Sequence, residues 1–207
     1  MTGYARSERR ALADLFVEVG PDAPTLCEGW STSDLAAHLV IRERRPDAAA
    51  GILIKPLAGY TARVQNQVKQ GRSWTQLVES VRSGPPAPLR VVDETMNTVE
   101  YFVHLEDVRR ARPGWEPRTL DAGLEKALWA RLKLMGRSLM RRAPVGVTLT
   151  APGFGTVVGK AQEPQVTLTG NPGELLLFAF GRQRSARVEA SGDPDLVAQL
   201  RNAQLGL

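Results

Sequence analysis

The 207-residue chain holds one cysteine, Cys27, and two histidines, His38 and His104. A single cysteine excludes an intramolecular disulfide and fits a reducing compartment. No apolar run approaches the roughly 18 residues that a membrane-spanning helix needs, so no membrane partner is expected. The first residues, "MTGYARSERRALADLF", carry acids inside their apolar stretch and no small-residue cleavage pattern. A secretory leader is therefore not expected, and a cytoplasmic location is. Repeats, low-complexity tracts and disordered tails are lacking too. Net charge is +5 and the isoelectric point about 9.8, which raises nucleic acid as a partner. However, no basic run exceeds two residues, no aromatic-studded basic strand occurs, and the arginines alternate with acids. That pattern reads as solvated helix faces, and no nucleic-acid partner is expected.

What is present divides into two textures. Residues 5 to about 142 follow a helical period. Leu12, Leu15, Phe16 and Val19 form one stripe, with Ser7 placed to cap its helix and Gly20 to end it. Ser31 and Asp34 make a capping-box pattern before a helix on which Leu35, His38, Leu39 and Arg42 share a face. Helices are expected over about 60–70, 74–82, 91–111 and 121–142, with an irregular stretch around Pro46, Gly51, Pro56 and Gly59. From Pro144 the chain becomes β-branched, alternating and glycine-punctuated. Two or three strands follow, then a short buried helix with Asn171 as N-cap and Pro172 at its first position, a further strand and a terminal amphipathic helix. The expected fold class is α+β: a four-helix bundle over 1–143 and a small α+β domain over 144–207.

The candidate chemistry sits in "NTVEYFVHLEDVRRA". Residues four apart on a helix share a face, so Glu100 and His104 point together, with Asn97 a turn before and Asp107 a turn after. Carboxylate and neutral imidazole are common ligands of Zn²⁺ and similar ions, and catalytic sites often use three protein ligands and keep one position open. His38, on a separate helix, is the natural third. On spacing alone, a chance pair and half-buried histidines bonded to their neighbours explain the pattern as well. Trp30 reads as a hydrophobic staple, and Cys27 as inert packing rather than a reactive thiol.

Three stretches carry a resemblance. "APTLCEGWSTSDLAAHL" and "NTVEYFVHLEDVRRA" resemble the two metal-binding motifs of the DinB-like, mycothiol-dependent maleylpyruvate isomerase family. "VTLTGNPGELLLFAFGRQRSARVEASGD" is similar to that family's small, sterol-carrier-like C-terminal domain. The likeness covers almost the whole chain and is strongest to an actinobacterial branch of metal-binding proteins of unknown reaction. It implies a DinB-like bundle with His38, Glu100 and His104 as metal ligands. It also implies mycothiol as cofactor, a small-molecule substrate, and isomerase or thiol S-transferase chemistry. A C-terminal arginine, Arg182, would bind a substrate carboxylate. Asn97 and Asp107 are candidates to orient the ligands. One departure is Leu105, where this branch would have a second histidine. The competing reading is a binding module whose metal is structural or absent, with the apolar run "ELLLFAFG" lining a pocket for an apolar ligand.

Overall fold

The computed structural model describes residues 3–52, 54–87 and 93–206, apart from the side chains of 52, 55, 95 and 96. They form two compact units, Met1–Glu116 and Pro117–Leu207.

The first unit is helical. Helix α1 spans Tyr4–Val19, α2 Thr32–Arg44, α3 Pro46–Ala49, α4 Ala58–Gln70, α5 Trp74–Ser83 and α6 Asp93–Arg110. Short 3₁₀ turns, Ala50–Ile52 and Lys55–Leu57, lie between α3 and α4. The expected start of α6 at 91 falls outside the described residues. Helix α1 packs along α6 and against α5, while α2 packs on α4 and α5. The stripes supply the core: Leu12 and Phe16 from α1, Leu35 and Leu39 from α2, Leu77 and Val81 from α5, and Tyr101, Leu105 and Val108 from α6. Ser7 lies inside α1 rather than capping it. The first two amides of that helix donate instead to the Glu94 carboxylate, at 2.7 and 3.1 Å. Gly20 ends α1 with φ +81°, a conformation that L side chains rarely adopt, and its N–H reaches the Phe16 carbonyl at 3.0 Å.

A charged layer crosses this core. Arg9 is 3% exposed and ion-pairs with Glu43 at 2.8 Å and Asp93 at 2.5 Å. Its guanidinium lies over the Tyr101 ring, whose hydroxyl donates to the same Glu43 oxygen at 2.8 Å. Buried charge is costly unless paired, and here α1, α2 and α6 each supply part of the pairing.

The second unit holds α7, Ala122–Leu139, then strands β1, Gly146–Ala151, β2, Gly155–Lys160, and β3, Gln165–Thr169. Helix α8, Pro172–Ala179, strand β4, Glu189–Ser191, and helix α9, Pro194–Asn202, complete it. The sheet order is β2-β1-β3-β4, with β1 and β3 parallel and the outer pairs antiparallel. Val147 and Leu149 stand beside Val166 and Leu168 in register, all buried on one face. Where the expected boundary stood at 143/144, the compact units divide between Glu116 and Pro117. Helix α7 packs on α8 and β2, and its Trp129 indole donates to the Phe154 carbonyl at 3.0 Å. The run in α8 is core, with Leu175, Leu176, Leu177 and Phe178 fully buried.

Candidate metal centre

The site is built from α2, α6 and the loop before α2. Ser31 and Asp34 close the expected box at the start of α2: the Asp34 carboxylate accepts from the Ser31 N–H at 3.1 Å and its hydroxyl at 2.7 Å. Seven residues after Ser31, on the buried side of that helix, stands His38. From α6, Glu100 and His104 present their side chains one above the other, as their spacing requires.

These three side chains meet. His38 Nε2 lies 3.5 Å and His104 Nε2 3.3 Å from the same Glu100 oxygen. One ligand atom from each residue lies within 4.8 Å of the others. Bonds of roughly 2.1 Å at tetrahedral angles place neighbouring donors about 3.4 Å apart, so the set has the spacing and the chemistry for one divalent ion. Both histidines are buried, while 21% of the Glu100 side chain stays exposed.

Electrostatics distinguishes the two imidazoles. Burial pulls the His38 pKa down, and Glu100 does not restore it. Burial also opposes charge on His104, but hydrogen bonds to Asp107, Cys27 and Glu100 outweigh it and raise its pKa well above the usual value. For Glu100, burial pushes upward, yet the two histidines and Arg42 hold it well below the ordinary carboxylate range. These shifts favour charge on Glu100 and His104 and oppose it on His38.

Around the three stands a second set of contacts. Asp107, fully buried, receives His104 Nδ1 at 2.9 Å and the Cys27 thiol at 3.3 Å on one oxygen. Cys27 reaches it because the Leu26 N–H bonds the Asp107 carbonyl at 3.1 Å, pinning the loop to α6. Cys27, His104 and Asp107 are themselves close enough to form an alternative ligand group. Trp30 packs its ring 5.1 Å from that of His38, walling that imidazole as well as joining the core. Arg42, one turn after His38, places Nε 3.1 Å from the Glu100 oxygen. Asn97 touches neither histidine in the hydrogen-bond pattern: its amide donates to Glu43 and Asp93 at 3.1 and 2.6 Å and its oxygen accepts from Arg42. Arg42 was visible in the sequence only as a residue sharing the His38 face; its partner on another helix was not. Leu105 is buried in the helical core. Arg182 belongs to the second unit, half-buried after α8, with Nη1 donating to the Phe180 carbonyl at 2.6 Å.

Fold and site together define an α+β protein whose helical unit carries a two-histidine, one-glutamate cluster. No protein-family model and no curated protein matches the chain. Among solved structures it is similar to the mycothiol-dependent maleylpyruvate isomerase, with TM-score 0.58 and 15% identity over 91% of this chain and 90% of that one. A histidine-to-alanine mutant of the mycothiol-dependent maleylpyruvate isomerase gives TM-score 0.54 and 17% identity at the same coverage. The chain has the fold of those enzymes.

Proposed function

We propose that the chain is a divalent-metal-binding enzyme that uses a low-molecular-weight thiol, as a mycothiol-dependent isomerase or thiol S-transferase. The observation that carries this reading is the approach of His38, Glu100 and His104 around one point. The shared fold of a mycothiol-dependent isomerase supports the choice of thiol. Two imidazoles and a carboxylate favour Zn²⁺. When bound, such an ion stabilises a thiolate against its thiol and so supplies a nucleophile near neutral pH. The protein's own groups then do the rest. Three ligands leave one position open for the thiol. Asp107 holds the His104 ring through Nδ1, leaving Nε2 for the ion. Arg42 fixes the Glu100 oxygen and offsets its charge. Arg182 is our choice for the group that receives a substrate carboxylate, a guanidinium fork suited to that anion. The reaction needs no protein nucleophile, in keeping with a single cysteine engaged by Asp107.

Elemental analysis of purified protein tests the site. Wild type is expected to carry about one divalent ion per chain and His104→Ala far less. Equal metal in the two proteins would overturn the assignment. With Co²⁺ in the site, a mycothiol-like thiol is expected to shift the visible spectrum. An unchanged spectrum would favour a metal-binding module without thiol chemistry.

A further inference from the structure

We propose that Cys27, His104 and Asp107 form a second cation site, one that takes a soft, sulfur-seeking metal ion and draws His104 away from the first. Cys27 Sγ, an imidazole nitrogen of His104 and an Asp107 carboxylate oxygen lie within 4.8 Å of one another. Within that set, the Asp107 oxygen stands 3.3 Å from Sγ and 2.9 Å from His104 Nδ1. Bonds of about 2.0–2.3 Å at tetrahedral angles hold neighbouring ligands roughly 3.3–3.6 Å apart. Both contacts fall within about half an ångström of that spacing.

The loop before α2 holds the sulfur in place. The Leu26 N–H bonds the Asp107 carbonyl at 3.1 Å, and the Trp30 N–H closes the turn onto the Cys27 carbonyl at 3.0 Å. The Thr25 hydroxyl spans that turn, accepting from the Cys27 N–H at 3.1 Å and donating to the Trp30 carbonyl at 2.9 Å. Gly29 supplies the left-handed residue it needs, with φ +74°. Cys27 is half-buried and Asp107 fully buried, so an ion reaches the sulfur first and finds the carboxylate behind it.

The donors select the ion. A thiolate favours soft cations such as Cd²⁺ or Cu⁺, whereas the set of His38, Glu100 and His104 contains no sulfur. As the sulfur–metal bond forms, the thiol proton leaves to solvent, and nothing is oxidised or reduced. A neutral imidazole has a single nitrogen lone pair to give. With Nδ1 on the soft ion, Nε2 keeps its proton, 3.3 Å from the Glu100 oxygen, and the first set is one ligand short. Capture of a soft ion therefore switches off the first centre. That consequence rests on the function proposed above; the Cys27 site itself does not.

Titration of the full chain with Cd²⁺, followed by sulfur-to-cadmium charge-transfer absorption, tests this. Wild type is expected to give a saturable rise and Cys27→Ser none. Loss of even an outer partner of a ligand costs about 10–100-fold in metal affinity, so Asp107→Asn and His104→Ala are each expected to bind at least about tenfold more weakly. His38→Ala, which alters the first set alone, is expected to keep the wild-type rise. Circular dichroism establishes that the variants are folded; should Asp107→Asn unfold, His104→Ala carries the comparison. No saturable rise in wild type, or affinity unchanged by loss of the imidazole and carboxylate, would overturn the site, as would an equal loss in His38→Ala. With Co²⁺ loaded first, Cd²⁺ is expected to displace it from wild type at a concentration at least about tenfold lower than from Cys27→Ser. Equal midpoints would overturn the switch. Failure of wild type to take up Co²⁺ would instead refute the first centre, and the Cd²⁺ absorption would still decide the second.

Discussion

Asp107 shows how much a single residue contributes behind the proposed ligands. It is fully buried, and one oxygen serves both the His104 ring and the Cys27 thiol. A carboxylate on Nδ1 fixes the ring's orientation and makes Nε2 a better donor, and its loss typically costs 10–100-fold in metal affinity. Asp107→Asn keeps the shape and removes the charge, so the proposed ion is expected to bind about 10- to 100-fold more weakly. Competition with a chromophoric chelator measures this, and unchanged affinity would reduce Asp107 to an anchor for the Cys27 loop. At this scale the sequence was informative wherever contacts repeat with the helix. Glu100, His104 and Asp107 follow from positions four and three apart on α6. The Cys27 thiol lies 80 residues from its partner and Arg42 58 residues from Glu100, and no local period encodes either approach.

Helix starts show the same division between local and distant causes. The box at the start of α2 is local, and Ser31 and Asp34 announce it. The start of α1 is held by Glu94, 90 residues away, so the expectation settled wrongly on Ser7. Asp34 also accepts from Lys69 of α4 at 2.7 Å, tying two helices together just before His38. Burial pushes the Asp34 carboxyl up, but Lys69 and Ser31 outweigh it, and its pKa falls below the ordinary value. The unfolded chain therefore binds the proton more readily than the folded one. The resulting stabilisation is complete above the unfolded pKa of about 3.9 and is lost as pH falls through the lower folded value. Asp34→Asn is expected to lower the melting temperature at pH 6 and to converge with wild type as pH drops below about 4. Thermal melts across that range check it; a constant gap between the two proteins would assign the cost to shape rather than charge.

For the molecule as a whole, the instructive element is α7. Its apolar stripe made it look like the fourth helix of the bundle, but a stripe records that a face is covered, not what covers it. The cover is α8 and β2, within the unit that begins at Pro117. Leu124, Leu128, Trp129, Leu132 and Leu139 are buried on α7. Exposing a large apolar side chain costs roughly 1.5–3 kcal/mol, so losing five such contacts rivals the 5–15 kcal/mol by which a domain is stable. A fragment spanning 117–207 is thus expected to fold, with dispersed amide NMR signals and a cooperative melt. A fragment spanning 144–207, which lacks α7, is expected to aggregate or remain unstructured. The complementary piece, 1–116, contains all three proposed ligands and is expected to retain the ion. If instead 144–207 folds alone and 1–143 is needed to hold metal, α7 belongs functionally with the bundle, and the division of labour between the two units must be redrawn at the boundary that the sequence first suggested.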